Sequence, residues 1–415
     1  MVSIEFVPGN LHLRVGRSCL SLSIDPVSPL PALISMPIAF LSVFLLLRWF
    51  SSQTDEKGRF ASIDGLRGYL AFLVFLHHSC IWYFYLRTGL WRVPPSELYT
   101  NFGQCSVALF FMITGFLFFS KLLESRNKQL DWDRLFVSRL MRLGPLYLFA
   151  MLAMFAIVAI LSKGALNVSG LYLSKTILQW ATFTILGAPG LNGIEQTNAI
   201  LGVAWSLVYE WFFYLSLPLL SLCVGAVPPV TYLLVGVACV ATIFAWGADI
   251  YPLASFLGGI VAAVLVRSEK IRSRADRPWA SVLVILLLAA AFTLFPTAYA
   301  WPPLFLLSLA FVLIACGNNM FGLLSLPSSR GFGELAYGIY LLHCIVLFVL
   351  FRFVVGFPKA RMLSAVEHWA LVVCVTPVLL VICFVAFRAI EYPAMKRTER
   401  VTNWLRAGHT IRLGS

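Results

Sequence analysis

The sequence predicts an all-α fold, a polytopic transmembrane helical bundle with ten core spans. Three observations carry that expectation. Hydrophobic residues make up 60% of the 415 positions and charged residues only 12%, whereas soluble domains carry roughly 25% charged residues. Mean hydropathy is +0.87. The apolar stretches are continuous runs of about 20 residues, the length of a membrane-crossing helix. A helix satisfies its own backbone hydrogen bonds in lipid, and a membrane β-barrel would show short alternating segments instead.

Residues 1–59 read as an N-terminal extension. Within it, 30–50 is apolar, interrupted by Pro31 and Pro37 and closed by Arg48. An extra transmembrane helix is expected there, with an uncleaved signal-like segment as the alternative. The membrane domain proper covers 60–395, with core spans at 64–86, 104–121, 143–162, 204–225, 229–247, 251–267, 279–297, 301–318, 334–355 and 368–389. A basic tail, 396–415, follows.

Charge orients these spans. Lys57 and Arg59 precede the first. Arg126, Lys128, Arg134, Arg139 and Arg142 lie between the second and third, and Lys270, Arg272 and Arg274 between the sixth and seventh. The tail adds Lys396, Arg397, Arg400, Arg406 and Arg412. Ten spans put all of them on one side, which the positive-inside rule makes the cytoplasm, together with the C-terminus. The expected location is an integral, multi-pass position in a membrane, the plasma (inner) membrane in a bacterium. The longest external connection, 163–203, holds Trp180, Asn192, Glu195 and Asn198, and its 171–188 stretch is apolar enough to lie on or dip into the membrane.

The net charge of +13 sits in these loops and the tail, so membrane lipid is the implied partner and nucleic acid is not. Nine cysteines are scattered without C-x-x-C or metal-ligand spacing, which implies neither a disulfide framework nor a metal site.

Polar groups inside the apolar runs mark the candidate site, because they are costly in lipid and need partners. In "SIDGLRGYLAFLVFLHHS" (62–79), Asp64 and Arg67 are three apart on one helix face and are expected to pair. His78 lies eleven residues beyond Arg67, on the same face after about 20° of drift and roughly 16 Å further along the axis. His77 points about 100° away and reads as a packing histidine. In "WSLVYEWFFYLSLPLL" (205–220), Ser206, Glu210 and Tyr214 share a face, and Glu210 is expected to meet a cation or protonated group. "YGIYLLHCIVL" (337–347) adds His343 one turn after Tyr340. "RLFVSRLMRLGPLY" (134–147) places Arg139 and Arg142 one turn apart, and arginine suits bidentate phosphate contacts. Glu391 in "FRAIEYP" (387–393) falls near the cytoplasmic rim.

Taken together, these motifs resemble the acyltransferase type 3 family, integral membrane enzymes that acylate carbohydrates and related acceptors. "IDGLRGYLAFLVFLHH" is similar to its opening Arg–His signature, and the spacing matches His78 rather than His77. "ALFFMITGFLFF" (108–119) resembles its second-span motif, with Thr114 where Ser is usual and Ala108 where an acid is common. "RLMRLGPLYL", "WSLVYEWFFYL", "YGIYLLH" and "IEYP" resemble four more motifs in order, although Ala336 stands where Ser is frequent.

The resemblance implies acyl transfer, usually of acetyl, from cytoplasmic acetyl-CoA or another acyl-CoA to a hydroxyl of a carbohydrate or lipid-linked glycan across the membrane. No permanently bound cofactor is implied. The catalytic candidates are then His78 as base or acyl carrier, Glu210 to orient it, Arg67, and Asp64 to fix Arg67. Arg139, Arg142, Tyr214, Trp205 and His343 are substrate-binding candidates. The alternative class is a secondary transporter with an intramembrane Glu/His/Arg relay. A sensing or scaffold protein that keeps the family shell is a third.

Overall fold

A computed structural model describes residues 2–7, 10–15, 18–22, 24–50, 60–125 and 130–413, with side chains over 24–50, 60–125 and 130–407. Lys57, Arg59, Arg126, Lys128 and the side chain of Arg412 lie outside the described residues. The extension opens with an antiparallel meander, β1 (Val2–Val7), β2 (Asn10–Val15) and β3 (Ser18–Leu22). It continues as α1 (Leu30–Trp49), 20 residues and apolar enough to cross a membrane.

From residue 60 onward the described chain is helical. Three long helices come first: α2 (Ala61–Thr88), α3 (Glu97–Glu124) and α4 (Trp132–Leu161). The 163–203 connection folds into α5 (Gly170–Ala181) and α6 (Thr197–Leu201), which runs through a short 3₁₀ turn into α7 (Trp205–Leu222). Next are α8 (Val230–Trp246), α9 (Ile250–Leu265), α10 (Glu269–Ala275), α11 (Pro278–Thr293) and α12 (Trp301–Ala315). The chain closes with α13 (Pro327–Glu334), α14 (Ala336–Val349), α15 (Phe357–Ala360), α16 (Ala365–Ala386), α17 (Tyr392–Lys396) and α18 (Thr398–Leu413).

Each of the ten expected core positions is occupied by an apolar helix. Among the described helices, seven including α1 are long and apolar enough to cross a membrane, and eight if α9 and α10, bent by 108°, count as one span. α8, α11 and α12 are shorter, at 17, 16 and 15 residues. Two helices begin earlier than hydropathy suggests because polar caps, not apolar runs, set their starts. Ser96 accepts from the Tyr99 amide to open α3, and Asp131 accepts from the Arg134 amide to open α4; such caps supply orphan amides with partners. The consequence for α4 is functional: Arg139 and Arg142, expected as loop flank, ride on its first three turns into the bundle.

The basic segments gather at one end. Arg267 pairs with Glu124 at 3.8 Å, and Arg406 pairs with Asp131 and Asp133. These contacts hold the ends of α3, α9 and α18 beside the start of α4.

Glycines let the helices touch backbone to backbone, the packing mode expected where lipid supplies no hydrophobic drive between helices. A Cβ on Gly259 would overlap the Met112 carbonyl and the Phe116 nitrogen, and one on Gly115 would overlap the Phe256 carbonyl, so α3 and α9 are in direct contact. Gly65, Gly68 and Gly333 do the same between α2 and the 324–334 segment. Gly259→Leu should therefore destabilise the protein by at least about 1–3 kcal/mol, the usual cost of overpacking. Gly170→Ala, where the space is open, should be neutral. Thermal unfolding in detergent, followed by tryptophan fluorescence, compares the two.

Candidate active site

α2 is the axis of the site. Leu324 against Gly65 and α13 against Gly68 fix its first turns, and Arg67 projects between them into a cavity of about 90 Å³ bounded by α2, α3, α4, α7 and α14. Arg139 and Arg142 of α4 enter the same cavity, as do Glu210 and Tyr214 of α7. Glu210 Oε1 accepts from the Thr114 hydroxyl at 3.3 Å, and Oε2 accepts from the Tyr214 hydroxyl at 3.2 Å. The Thr114 departure from the usual serine thus keeps the hydroxyl that matters. Ser206 and Tyr340 close the inner end, their hydroxyls 2.7 Å apart.

The electrostatics of this lining are unbalanced. Three guanidiniums face one carboxylate that is already hydrogen-bonded to two hydroxyls. No ion pair of Arg67, Arg139 or Arg142 is found among the described residues. Their remaining contacts are to neutral groups: Arg139 is hydrogen-bonded to the Tyr214 hydroxyl. Arg139 lies 5.0 Å from the Phe118 ring centre and 3.5 Å from the Ser138 hydroxyl, and Arg142 donates to the Met395 sulfur at 2.9 Å. Glu391, in a π-helical turn over Phe387–Glu391, is fully buried, and neither carboxylate oxygen has a hydrogen-bond partner; Arg142 and Arg67 are the charges nearest it. Arginines that make no ion pair on one cavity wall are an arrangement that can take up an anion.

The opposite end of α2 holds the histidines. With hydrogens assigned from their partners, His343 Nδ1–H donates to the Ile339 carbonyl at 2.8 Å, so its Nε2 is an acceptor. That nitrogen faces His78 Nδ1 at 3.1 Å, and His78 Nδ1–H is shared between it and the Val74 carbonyl at 3.0 Å. His78 therefore presents Nε2 with a free lone pair, in a ring held in one tautomer, as a general base requires. Tyr337, Tyr340 and His343 follow one another along one face of α14 and join the two halves; the Tyr340 and His343 ring centres are 6.4 Å apart. His77 donates Nδ1–H to the Tyr99 carbonyl at 2.7 Å, and His368 bonds the Ser79 carbonyl at 2.9 Å, so both serve packing. The donor atoms of His78, His343 and Cys344 lie within 4.8 Å of one another, near enough for one metal ion. As arranged they bond each other, with the Cys344 sulfur 3.3 Å from His343 Nε2.

Three expectations need correction. Asp64 makes no ion pair with Arg67 among the described residues: Arg67 turns into the cavity, while Asp64 stays half-buried under α13. Glu210, expected to orient or charge-balance His78, makes no hydrogen bond to it among the described residues; its two oxygens accept from Thr114 and Tyr214. Trp205 is 40% exposed and borders a separate surface pocket with Tyr209 and Trp246. Five residues from Glu210, it points about 140° away around the helix. Conversely, the sequence reading passed over Trp91, whose ring stacks on His78 at 6.1 Å and 21°. Its one local signal is an aromatic residue placed just after the helix-ending Gly89.

Comparisons with known proteins place this region in a family. The acyltransferase domain family matches residues 60–388, which include every residue of the cavity and both site histidines. Nodulation protein 10 of Rhizobium leguminosarum bv. viciae is 30% identical over 178 residues, 41% of this chain and 46% of that protein. The matched stretch thus spans a little under half the length of this relative. No solved structure matches the chain. A helical bundle with six ordered motifs converging on one polar core, matched across 60–388, belongs to the acyltransferase type 3 family of integral membrane proteins.

Proposed function

We propose that the protein moves an acyl group, acetyl in the simplest case, from acyl-CoA to a hydroxyl of a carbohydrate or glycolipid. The basic end takes the donor and, by the positive-inside rule, faces the cytoplasm; the acceptor enters from the other side. The observation that carries this reading is the cavity lined by Arg67, Arg139 and Arg142, whose only lining carboxylate is Glu210. CoA is anionic at one end and carries its thioester at the other. The arginines meet its phosphates through charge-assisted hydrogen bonds. The pantetheine arm extends past Tyr340 along α2, covering the roughly 16 Å from Arg67 to His78.

In this reading His78 Nε2 takes the proton of the acceptor hydroxyl as its oxygen attacks the thioester carbonyl. The tetrahedral intermediate collapses with cleavage of the C–S bond, and the leaving thiolate takes the proton back from His78. The products are an ester and free CoA. His343 acts by positioning: its Nε2 accepts from His78 Nδ1–H throughout and steadies the imidazolium formed in between. The same free nitrogen would serve a path in which His78 carries the acyl group transiently.

Two expected outcomes follow. With radiolabelled acetyl-CoA in proteoliposomes, His78→Ala should lower thioester loss by about 10²–10⁴-fold, the worth of a general base. His343→Leu should lower it about 10–100-fold, a lost hydrogen bond to a charged group; full activity in His78→Ala overturns the assignment. Separately, CoA should raise the thermal midpoint of the wild type, and Arg139→Gln with Arg142→Gln should remove most of that rise. If CoA produces no shift, the cavity belongs to another anion and the donor assignment fails.

A further inference from the structure

The transfer reading gives Cys344 nothing to do, yet its thiol lies at the centre of the polar cluster. Cys344 and His343 are consecutive on α14 and both fully buried. His78 reaches them from α2 and is the least buried of the three. His343 Nε2 is the shared point, 3.1 Å from His78 Nδ1 and 3.3 Å from the Cys344 sulfur. All three donor atoms lie within 4.8 Å of one another. No sequence spacing signals this group, because its histidines come from helices 265 residues apart in the chain.

The spacing suits a tetrahedral ion. Zinc bonds of about 2.0–2.1 Å to nitrogen and about 2.3 Å to sulfur set neighbouring ligand atoms roughly 3.4–3.6 Å apart. The two close pairs need only spread by a few tenths of an ångström, and the third needs to close. Two imidazoles and a thiol select a borderline-soft ion such as zinc over magnesium or calcium. The surroundings are those of a ligand set as well. His343 already donates Nδ1–H to the Ile339 carbonyl at 2.8 Å, which aims Nε2 and its lone pair at the cluster. Ligating histidines are commonly fixed in this way. The Cys344 sulfur accepts from the backbone amide of Val203, in the turn that leads into α7, and such a bond steadies a thiolate.

We propose that His78 Nδ1, His343 Nε2 and Cys344 Sγ bind a zinc-type divalent ion, and that its binding switches the site off. The thiol loses its proton to solvent as the sulfur–metal bond forms. His78 Nδ1 bonds the ion through a lone pair, so the single proton of the neutral ring moves to Nε2. The Val74 carbonyl gives up its contact with Nδ1 but keeps its helical backbone partner. Nε2, the nitrogen left free without the ion, then carries a proton and can accept none. The ion thus blocks proton transfer and leaves the arginine cavity untouched. Its effect on turnover rests on the reading of His78 as base; the binding site itself does not.

The test uses the full-length protein in detergent, purified through a tag without histidine and stripped with a chelator. Cys19→Ala, Cys223→Ala and Cys374→Ala lower the thiol background. Cobalt(II) is the spectroscopic probe. One equivalent should give the visible bands of a tetrahedral site and a thiolate-to-cobalt charge-transfer band, both removed by zinc. Adding Cys344→Ala, or the closer-sized Cys344→Ser, should abolish the charge-transfer band and weaken binding at least about tenfold. Zinc should stop acetyl-CoA turnover without displacing acetyl-CoA. Cys344→Ala should keep its turnover and need at least about tenfold more zinc to lose it. The proposal fails if cobalt gives no such bands, if the charge-transfer band survives both substitutions, or if zinc leaves turnover unchanged or raises it. Turnover without cobalt bands removes the metal site and leaves the transfer reading. Cobalt bands that depend on Cys344, in a protein that consumes no acyl-CoA, uphold the site and remove the transfer reading.

Discussion

A guanidinium cannot lose its proton at any ordinary pH, so three of them on one wall of a membrane bundle impose a charge that the protein must accommodate by structure. Much of the surrounding architecture does so. The glycines of α2 admit α13 against its backbone and fix the turn from which Arg67 projects. The Tyr337 hydroxyl donates to the Leu143 carbonyl at 2.8 Å, tying α14 to the helix that carries Arg139 and Arg142. Thr114 and Tyr214 hold Glu210 in place among the cations. Each restraint comes from a different helix, and together they keep the charges facing a cavity instead of collapsing onto one another.

α2 and α14 run as two rails from this charged end to the histidines. Each presents polar groups at helical intervals towards the other, and the His78–His343 bond joins them. Chemistry and charge are thereby separated along one axis. The arginines line the cavity at one end, and His78 sits among aromatic rings further along. Tyr340 stands between the two halves, and Trp91 covers the far side of His78.

How much of this was legible in the sequence depends on the range of the interaction concerned. Helical spacing on a single segment was informative. Ser206, Glu210 and Tyr214 share a face, and Tyr214 does bond Glu210. Arg67 and His78 do ride on one continuous helix, α2. Each expected run does coincide with an apolar helix, although only six from α2 onward are long enough alone to cross a membrane. Contacts between segments were not legible. Nothing local to Glu210 says that Thr114 of another helix reaches it before His78 does. The spacing of Asp64 and Arg67 does bring their charges near each other, but they form no ion pair, because Arg67 lines the cavity and Asp64 packs under α13. Trp205 was carried into the site by its motif, although its own angle on α7 turns it outward. The starts of α3 and α4 were hidden because one capping hydroxyl or carboxylate decides them, and hydropathy does not register either.

The hydrogen-bond chain that holds His78 ends at the Ile339 carbonyl, an oxygen within α14 that has no proton to hand on. If His78 acts as the proposed base, a proton accepted at its Nε2 returns through the face by which it arrived, since the chain's side branch is the buried Cys344 thiol. The histidine pair is a dead end and not a wire. On the transfer reading, a turnover here would leave any ionic gradient across the bilayer as it found it.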